Sequence, residues 1–170
     1  MIFKNHWSRT LATTLLTAVA LGFGLALAEA ATIVAFGASN TYGKGVARNQ
    51  AYPAQLQAIL QASGKSVRVI NAGINGDTTE GMLRRLDRAV PNGTSVVILQ
   101  PGGNDRRKGT TDRTSEIQSR LSARGIPVVM FGNSMLSGLP KQPDGVHLTP
   151  EGYQMLAKSI APSVQSAMSR

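Results

Sequence analysis

The sequence predicts an α/β fold, a three-layer α/β/α sandwich on a flavodoxin-like parallel sheet of about four to five strands. Two observations carry this prediction. Four short runs are rich in β-branched and apolar residues, and stretches with helical spacing of apolar residues separate them. Strands and helices that alternate in this way form parallel sheets with right-handed crossovers and helices on both faces. The predicted strands are residues 32–37, 67–71, 95–100 and 126–131.

The first, third and fourth of these runs, TIVAFG, SVVILQ and IPVVMF, are almost continuously apolar. Strands that are buried on both faces have this composition, whereas a strand with one wet face alternates between apolar and polar residues. These three runs are therefore predicted to be covered by helices on both sides.

Helices are predicted after each of the four strands. The third is the weakest, and Gly125 would end it. The last begins with a hydroxyl cap at Thr149, a proline at Pro150 and an acid at Glu151, and Pro162 is expected to kink or shorten it. The predicted apolar faces are Leu56, Ile59 and Leu60; Met82, Leu83, Leu86 and Val90; Ile117 and Leu121; and Tyr153, Leu156, Ala157, Ile160 and Val164.

The N-terminal segment has the three parts of a secretory signal peptide, which we predict to cover residues 1–30. Lys4 and Arg9 make a basic start, residues 11–27 are apolar apart from three threonines, and Ala28-Glu29-Ala30 is a small-x-small cleavage site. The alternative is an uncleaved membrane anchor, because the apolar run reaches the roughly 17 residues that a span needs. Cleavage after Ala30 would place the protein in the periplasm or outside the cell.

The remaining chain, residues 31–170, is predicted to be one domain with its own core. It contains no cysteine, which excludes disulfides, a thiol nucleophile and a thiolate metal site. The formal net charge of the full 170-residue chain is +9. The arginines are scattered and not interleaved with aromatic residues, so no nucleic-acid partner is predicted; a solvated basic surface, or peripheral contact with an anionic membrane or cell wall, fits better.

Polar or glycine-rich loops follow all four predicted strands. They carry Ser39, Gly76, Asn104 and His147 in that order. The carboxyl ends of parallel strands meet at one edge of the sheet, where ligands of such folds bind. The four loops are therefore predicted to form one site.

The residue types in these loops suit acyl transfer. A serine hydroxyl needs a base to become a nucleophile, and His147 is the only imidazole after the leader. Asp144, three residues earlier, can accept the Nδ1 hydrogen of that imidazole and support its cation. The backbone N–H of Ser39, the N–H of Gly76 and the amide of Asn104 are candidate donors to an oxyanion.

Each of these residues also has a purely structural interpretation. The alternatives are a helix cap for Ser39, turn glycines of positive φ for Gly76 and Gly103, a turn at Asn104-Asp105, an exposed position for His147 and a turn cap for Asp144.

The four segments together resemble the SGNH (GDSL-type) serine hydrolases, the family of secreted esterases, lysophospholipases and thioesterase I. FGASNTYG corresponds to the GDS nucleophile block, INGDTT to the glycine block, GGND to the asparagine block and DGVH to the Asp-x-x-His block. The resemblance implies that Ser39 is the nucleophile, His147 the base and Asp144 the residue that orients it. It also implies an oxyanion hole of Ser39, Gly76 and Asn104, and neither metal nor organic cofactor. The implied activity is hydrolysis of carboxylic esters, thioesters or lysophospholipids.

The chain departs from the family pattern at two places. Ala38 stands where the family has an acid, which implies altered support of the nucleophile loop. The stretch between Asn104 and Asp144 holds one helix and one strand, where larger members have a further strand–helix unit. In this stretch Arg106 is a candidate contact for an anionic leaving group such as a phospholipid head, and a solvated loop is the alternative.

Three other functions remain open from the sequence. The substrate class can instead be sugar or cell-wall acetyl esters, which would make the protein a carbohydrate O-deacetylase. The glycine-rich loop GASNTYGKG can cradle a phosphate in a flavodoxin-like binding protein, although its spacing is not that of a P-loop. The third is a family member without activity that binds cell wall or lipid.

Overall fold

The computed structural model describes residues 30–169, which form a parallel sheet with helices on both faces. Its four strands are paired in the order β2-β1-β3-β4, all parallel. The predicted three-layer α/β fold is confirmed. The strands are β1 (Ala31–Gly37), β2 (Val67–Gly73), β3 (Thr94–Gln100) and β4 (Val128–Met130).

Strand β4 is shorter than the predicted run of residues 126–131. Pro127 has no N–H to donate to the ladder, and the regular register with β3 begins at Val128. Phe131 donates its N–H to the Leu99 carbonyl beyond the end of the strand. The pairing of this edge strand is therefore limited to three residues in regular register.

The four predicted helices are present, and two short ones stand shortly after strand ends. Helix α1 (Ser39–Tyr42) begins after a one-residue gap from β1, and helix α4 (Asn104–Lys108) begins after a three-residue gap from β3. Helix α6 continues through Pro162, so the expectation that this proline shortens it was wrong; the buried face around Ile160 and Val164 offsets the one lost backbone hydrogen bond. The helices are α1 (Ser39–Tyr42), α2 (Tyr52–Ala62), α3 (Thr79–Ala89), α4 (Asn104–Lys108), α5 (Thr114–Ala123) and α6 (Pro150–Met168), with 3₁₀ turns at Arg48–Gln50 and Asn133–Leu136.

The core consists of two apolar clusters, one on each face of the sheet. Side chains alternate along β1, so Ile33 joins the cluster under α2 and α6, and Val34 joins the cluster under α3 and α5. Strands β1 and β3 are buried almost throughout, as their composition predicts. The same prediction was wrong for β4, which is only partly buried, with Met130 49% exposed, because it lies at the edge of the sheet. This sandwich holds the strand ends rigidly, and the polar loops emerge from them.

The strand order places the loops after β1 and β3 side by side in the middle of the sheet. From β1 the chain moves outward to β2, then returns past β1 to β3. This reversal is the position at which open α/β sheets bind ligands. Ser39 follows β1 and Asn104 follows β3, so both lie at the reversal.

The predicted signal peptide, residues 1–30, falls almost entirely outside the described residues. Within residues 30–169, no helix combines the length and the apolar composition needed to cross a bilayer.

Helix α1 packs against β2 at a glycine. A Cβ on Gly73 would lie 2.2 Å from the backbone nitrogen of Tyr42, closer than real contacts allow. The absence of a side chain at Gly73 therefore permits the loop after β1 to fold back over β2.

We expect Gly73→Ala to lower the free energy of unfolding by about 1–3 kcal/mol, because the neighbouring backbone must shift. Urea denaturation measures this. Gly132→Ala is the matched control, because a Cβ there meets nothing within 4 Å and the residue has a φ of −109°. Equal losses in the two variants would contradict the close approach.

Candidate active site

Ser39 lies at the first turn after β1. The chain leaves the sheet at Gly37, passes through buried Ala38 and enters α1 at Ser39. The Ser39 carbonyl accepts hydrogen bonds from the N–H groups of Gly43 and Lys44, which closes the short helix. The Ser39 N–H stands in the first turn, where helical N–H groups have no intrahelical acceptor. Both its hydroxyl and its N–H are thus held at the end of the strand.

His147 joins Ser39 to Asp144 by two hydrogen bonds. Its Nε2 lies 2.9 Å from Ser39 Oγ, and its Nδ1 lies 2.5 Å from Asp144 Oδ2. The imidazole is only 6% exposed, so the alternative of a surface histidine does not hold. A hydroxyl, an imidazole and a carboxylate are therefore in hydrogen-bonding succession, across 108 residues of chain between Ser39 and His147.

The two carboxylate oxygens of Asp144 bind different partners. Its Oδ1 accepts the backbone N–H groups of Val146 and His147, each at 2.9 Å, so it does cap the turn. Its Oδ2 accepts from the imidazole. The hydrogen bond from the His147 side chain, followed by the two backbone bonds, holds the pKa of the Asp144 carboxyl well below its ordinary value of 3.8. The carboxylate is therefore the stable form beside the imidazole.

The Asn104 side-chain amide is fixed on both of its ends. Its Nδ2 donates to the Asp77 carbonyl at 2.7 Å, and its Oδ1 accepts from the guanidinium of Arg107. Asn104 begins α4 and is 4% exposed. Because an amide nitrogen carries two hydrogens, one remains for another acceptor.

Ser39 and Asn104 line one cavity of about 430 Å³. The predicted substrate contact Arg106 lies in the same wall. Among residues 30–169, Gly76 is not part of this lining, although its loop is adjacent, since the Asp77 carbonyl holds Asn104. Five of the six predicted site residues therefore line the cavity or take part in the Ser39–His147–Asp144 contact, and Gly76 does neither.

The two glycine predictions have different outcomes. Gly76 has a φ of +70°, the left-handed region that favours glycine. The Lys108 ammonium donates to its carbonyl at 2.6 Å, which ties this turn to α4. Gly103 has a φ of −114°, so the expectation of positive φ there was wrong; Gly102, with a φ of +77°, makes the turn instead.

Gln100 supports the loop that carries Ser39, and the sequence analysis did not identify this role. This side chain is 1% exposed at the end of β3, and its Oε1 accepts the Ala38 N–H and the Thr41 hydroxyl. It thus supplies an acceptor next to Ala38, where the family pattern has an acid. The available signal was a polar residue that ends the apolar run SVVILQ.

A buried ion pair supports the loop after β2. Arg85, on α3, contacts Asp77 at 2.8 Å, and both side chains are about nine-tenths buried. The same guanidinium donates to the carbonyls of Ala72 and Gly37 and lies 4.5 Å from the centre of the Phe36 ring. One side chain therefore joins the ends of β1 and β2 to the residue that orients Asn104.

Asp105 links the loops after β2 and β3. Its carboxylate accepts the N–H and hydroxyl of Thr79 and the hydroxyl of Thr110. Asn104-Asp105 is therefore the start of a helix tied to its neighbour, not an isolated turn. Within residues 30–169, no group of three or more His, Asp or Glu side chains is placed to hold a metal ion.

Residues 35–123, more than half of the chain, match the model of the GDSL-like Lipase/Acylhydrolase family. The chain belongs to this family. A curated relative of this GDSL-like chain is the esterase TesA of Pseudomonas aeruginosa, 31% identical over 62% of the chain. Another is an arylesterase of Vibrio mimicus, 31% identical over 68% of the chain. The matches span 55% and 62% of the length of these relatives.

Solved structures of similar proteins agree with this family. AlinE4, described as an SGNH-hydrolase family esterase, superposes with a TM-score of 0.61 at 27% identity and covers 82% of this chain and 97% of its own. The crystal structure of TesA superposes with a TM-score of 0.68 at 24% identity and covers 80% and 99%. The resemblance predicted from the four sequence blocks is therefore confirmed.

We expect Gln100→Leu to lower the free energy of unfolding by about 1–3 kcal/mol, because it leaves the buried Ala38 N–H without an acceptor. Urea denaturation with a fluorescence readout measures the loss. Gln154→Leu, at an exposed position of α6, is the control. A stability unchanged in Gln100→Leu would show that Gln100 does not hold this loop.

Asp144 also predicts a pH dependence of stability. A carboxyl whose pKa falls on folding stabilises the native state fully above its ordinary pKa, and this contribution is lost as the pH falls below it. The difference in urea midpoint between the unsubstituted protein and Asp144→Asn should therefore be largest above about pH 5 and shrink toward about pH 2. Asp87→Asn, at a side chain that is 91% exposed, controls for removal of a surface charge. A difference that grows toward acid would contradict the assignment.

Proposed function

We propose that this protein hydrolyses carboxylic esters, and thioesters of the same acyl groups, through an acyl-serine intermediate. The observation that carries the proposal is the succession of Ser39 Oγ, the His147 imidazole and the Asp144 carboxylate at 2.9 and 2.5 Å. A serine that only caps a helix needs no buried imidazole at its hydroxyl. The names of the relatives, which are esterases, support the same reaction class.

Acylation begins when Ser39 Oγ attacks the ester carbonyl and its proton passes to His147 Nε2. Asp144 accepts the Nδ1 hydrogen, which selects the tautomer with a free Nε2 and stabilises the imidazolium. The imidazolium then gives its proton to the leaving oxygen or sulfur as the bond to the carbonyl carbon breaks. In deacylation, a water oxygen attacks the acyl carbon as His147 takes a proton from that water. The bond between the acyl carbon and Ser39 Oγ then breaks, the acid is released, and His147 returns the proton to Ser39 Oγ.

The oxyanion of each tetrahedral intermediate would be held by the Ser39 N–H and the free hydrogen of Asn104 Nδ2, which face the same cavity. The Gly76 N–H is the third proposed donor, from the adjacent turn. Donors fixed before the reaction stabilise developing charge without reorganisation. The clamping of Asn104 by Asp77 and Arg107 supports this assignment.

The phosphate-binding alternative loses support in this geometry. The glycine-rich loop after β1 forms a four-residue helix. Its Ser39 carbonyl accepts backbone N–H groups, and the side chain of buried Asn40 is hydrogen-bonded to Val146 and Tyr153, so these polar groups already have partners within the protein. A binding protein without chemistry also gives no reason for the Ser39–His147–Asp144 contact. The location that we propose remains the periplasm or the outside of the cell, on the basis of the basic, apolar and small-x-small pattern of residues 1–30.

Hydrolysis of 4-nitrophenyl acetate and butyrate by the purified protein tests the proposal. We expect turnover that Ser39→Ala and His147→Ala each reduce by on the order of 10⁴-fold or more, and Asn104→Ala by about 10²–10³-fold. Ser122→Ala, an exposed serine on α5, is the control and should retain activity. Turnover that survives Ser39→Ala would refute the proposal, and a nucleotide or flavin affinity without turnover would favour the phosphate-binding alternative.

A series of acyl chains from acetate to palmitate distinguishes the substrate classes. Activity confined to acetyl esters, and higher on acetylated sugars, would favour the carbohydrate O-deacetylase. Activity that extends to longer chains or to lysophospholipids would favour an acylhydrolase.

A further inference from the structure

Three basic side chains line the cavity that contains Ser39: Arg106, Arg107 and Lys141. Within residues 30–169, no aspartate or glutamate is part of that lining. The chain as a whole is basic, with 18 Lys and Arg against 9 Asp and Glu, so basic residues alone would not be informative. What the geometry adds is that these charges line the same cavity as the proposed nucleophile, and that this lining contains no carboxylate from the described residues.

Within residues 30–169 none of these three side chains has an ion-pair partner, and two of them also make no side-chain hydrogen bond. Among residues 30–169, no carboxylate oxygen lies within 4.0 Å of the charged nitrogens of Arg106 or Lys141. Arg107 instead donates to Asn104, and Lys108, just outside the cavity, donates to the Gly76 carbonyl. The two unpaired cations at the cavity wall are therefore Arg106 and Lys141.

The two cations come from different segments whose backbones are fixed relative to Ser39. Arg106 lies on α4, two residues after Asn104. Lys141 pairs with Leu148 in an isolated antiparallel bridge, next to His147. The neighbouring Gln142 side chain donates to the carbonyls of Lys44 and Leu148, which locks this bridge against the loop after β1. The two cations thus reach the same cavity from two different segments of anchored backbone.

The nearby carboxylates are already engaged. Asp144 accepts from His147 and from two backbone N–H groups. Asp105, on α4, is 5% exposed and accepts hydrogen bonds from the hydroxyl groups of Thr79 and Thr110. Asp112 accepts the N–H and hydroxyl of Thr114. These carboxylates keep their charge, and Asp105 and Asp112 line a neighbouring cavity together with Arg106. None of the three lines the cavity of Ser39, where the described charged side chains are all basic, and such clefts concentrate anions.

We propose that the ester substrate carries an anionic group, a carboxylate or a phosphate, which binds between Arg106 and Lys141 while Ser39 attacks the ester carbonyl. This inference rests on the proposed esterase activity and names its substrate class. Guanidinium and ammonium groups both bind such oxyanions, and an unpaired pair on two walls can hold one anion between them.

Esters that differ only in charge test the acyl side. Mono-(4-nitrophenyl) glutarate carries a terminal carboxylate, and 4-nitrophenyl 5-methylhexanoate has an isopropyl group in its place. The measured quantity is the ratio of kcat/KM for the charged ester to kcat/KM for the neutral ester. A second pair, 4-acetoxybenzoate and 4-acetoxybenzamide, makes the same comparison on the leaving-group side, so the two pairs show which part of the substrate carries the anion.

We expect the Arg106→Gln/Lys141→Gln double variant to lower the ratio for at least one pair by about tenfold, as the loss of two partly exposed charge contacts implies. Lys65→Gln/Arg68→Gln is the matched control, because it removes two positive charges at the amino-terminal ends of the strands, away from the cavity. Lys65 precedes β2, and Arg68 is the second residue of that strand. In the unsubstituted protein, raising the ionic strength from about 0.02 M to about 0.5 M should also lower the ratio.

The outcomes separate the two proposals. A ratio that the double variant leaves unchanged for both pairs, in a protein that hydrolyses the neutral esters, overturns the anionic-substrate inference and leaves the esterase intact. Absence of Ser39-dependent hydrolysis of all four esters overturns both. If the double variant changes only binding to vesicles containing anionic phospholipid, the cations belong to a membrane contact and the inference is also overturned.

Discussion

The hydrogen bond between His147 Nε2 and Ser39 Oγ connects the first and last loops of the described domain. This contact forms only if the end of β1, the turn before α6 and the packing of α6 on the sheet are all in place. The hydroxyl is placed by the end of β1, and the imidazole by a turn that leads into α6. These two segments meet because the sheet brings β1 to its centre and because α6 packs across the same face as α2. A contact over this chain separation depends on the completed core.

Buried polar groups hold the strand ends at distances that apolar packing alone would not specify. Arg85 binds backbone carbonyls from β1 and β2 together with Asp77, and Gln100 binds the backbone of the loop after β1. Removing one partner of such a buried network leaves an unsatisfied group, which is costly in a low-dielectric interior. The site therefore rests on a polar layer between the apolar core and the cavity.

The sequence predicted the parts of the molecule that depend on local pattern. Continuous apolar runs identified the strands, helical spacing identified the long helices, and the loops after the strands contained Ser39 and His147, which the structure brings together. It did not predict Arg85 or Gln100, because their partners are backbone atoms and a carboxylate from other elements. An arginine beside Arg84 on a polar helix is typical of an exposed position, and only the tertiary structure shows that it is buried.

Errors at element ends have similar causes. Strand β4 begins late because Pro127 lacks an N–H group. Helix α6 continues past Pro162 because the residues that follow still bury apolar side chains. Gly76 is not part of the cavity lining, whereas the carbonyl of the next residue, Asp77, accepts a hydrogen bond from Asn104. The two positions differ by one peptide unit along the chain. Patterns of residue type place loops at the correct edge but do not resolve which peptide group faces inward.

The Asp144–His147 turn is a self-contained module. One carboxylate oxygen closes the backbone and the other holds the ring, so the mutual orientation of acid and base is encoded within four consecutive residues. Insertions or deletions in the 105–143 segment would alter the walls around the substrate while leaving this pair geometrically unchanged. A chain of this kind can therefore keep the geometry of the proposed acid–base pair while its substrate range diverges.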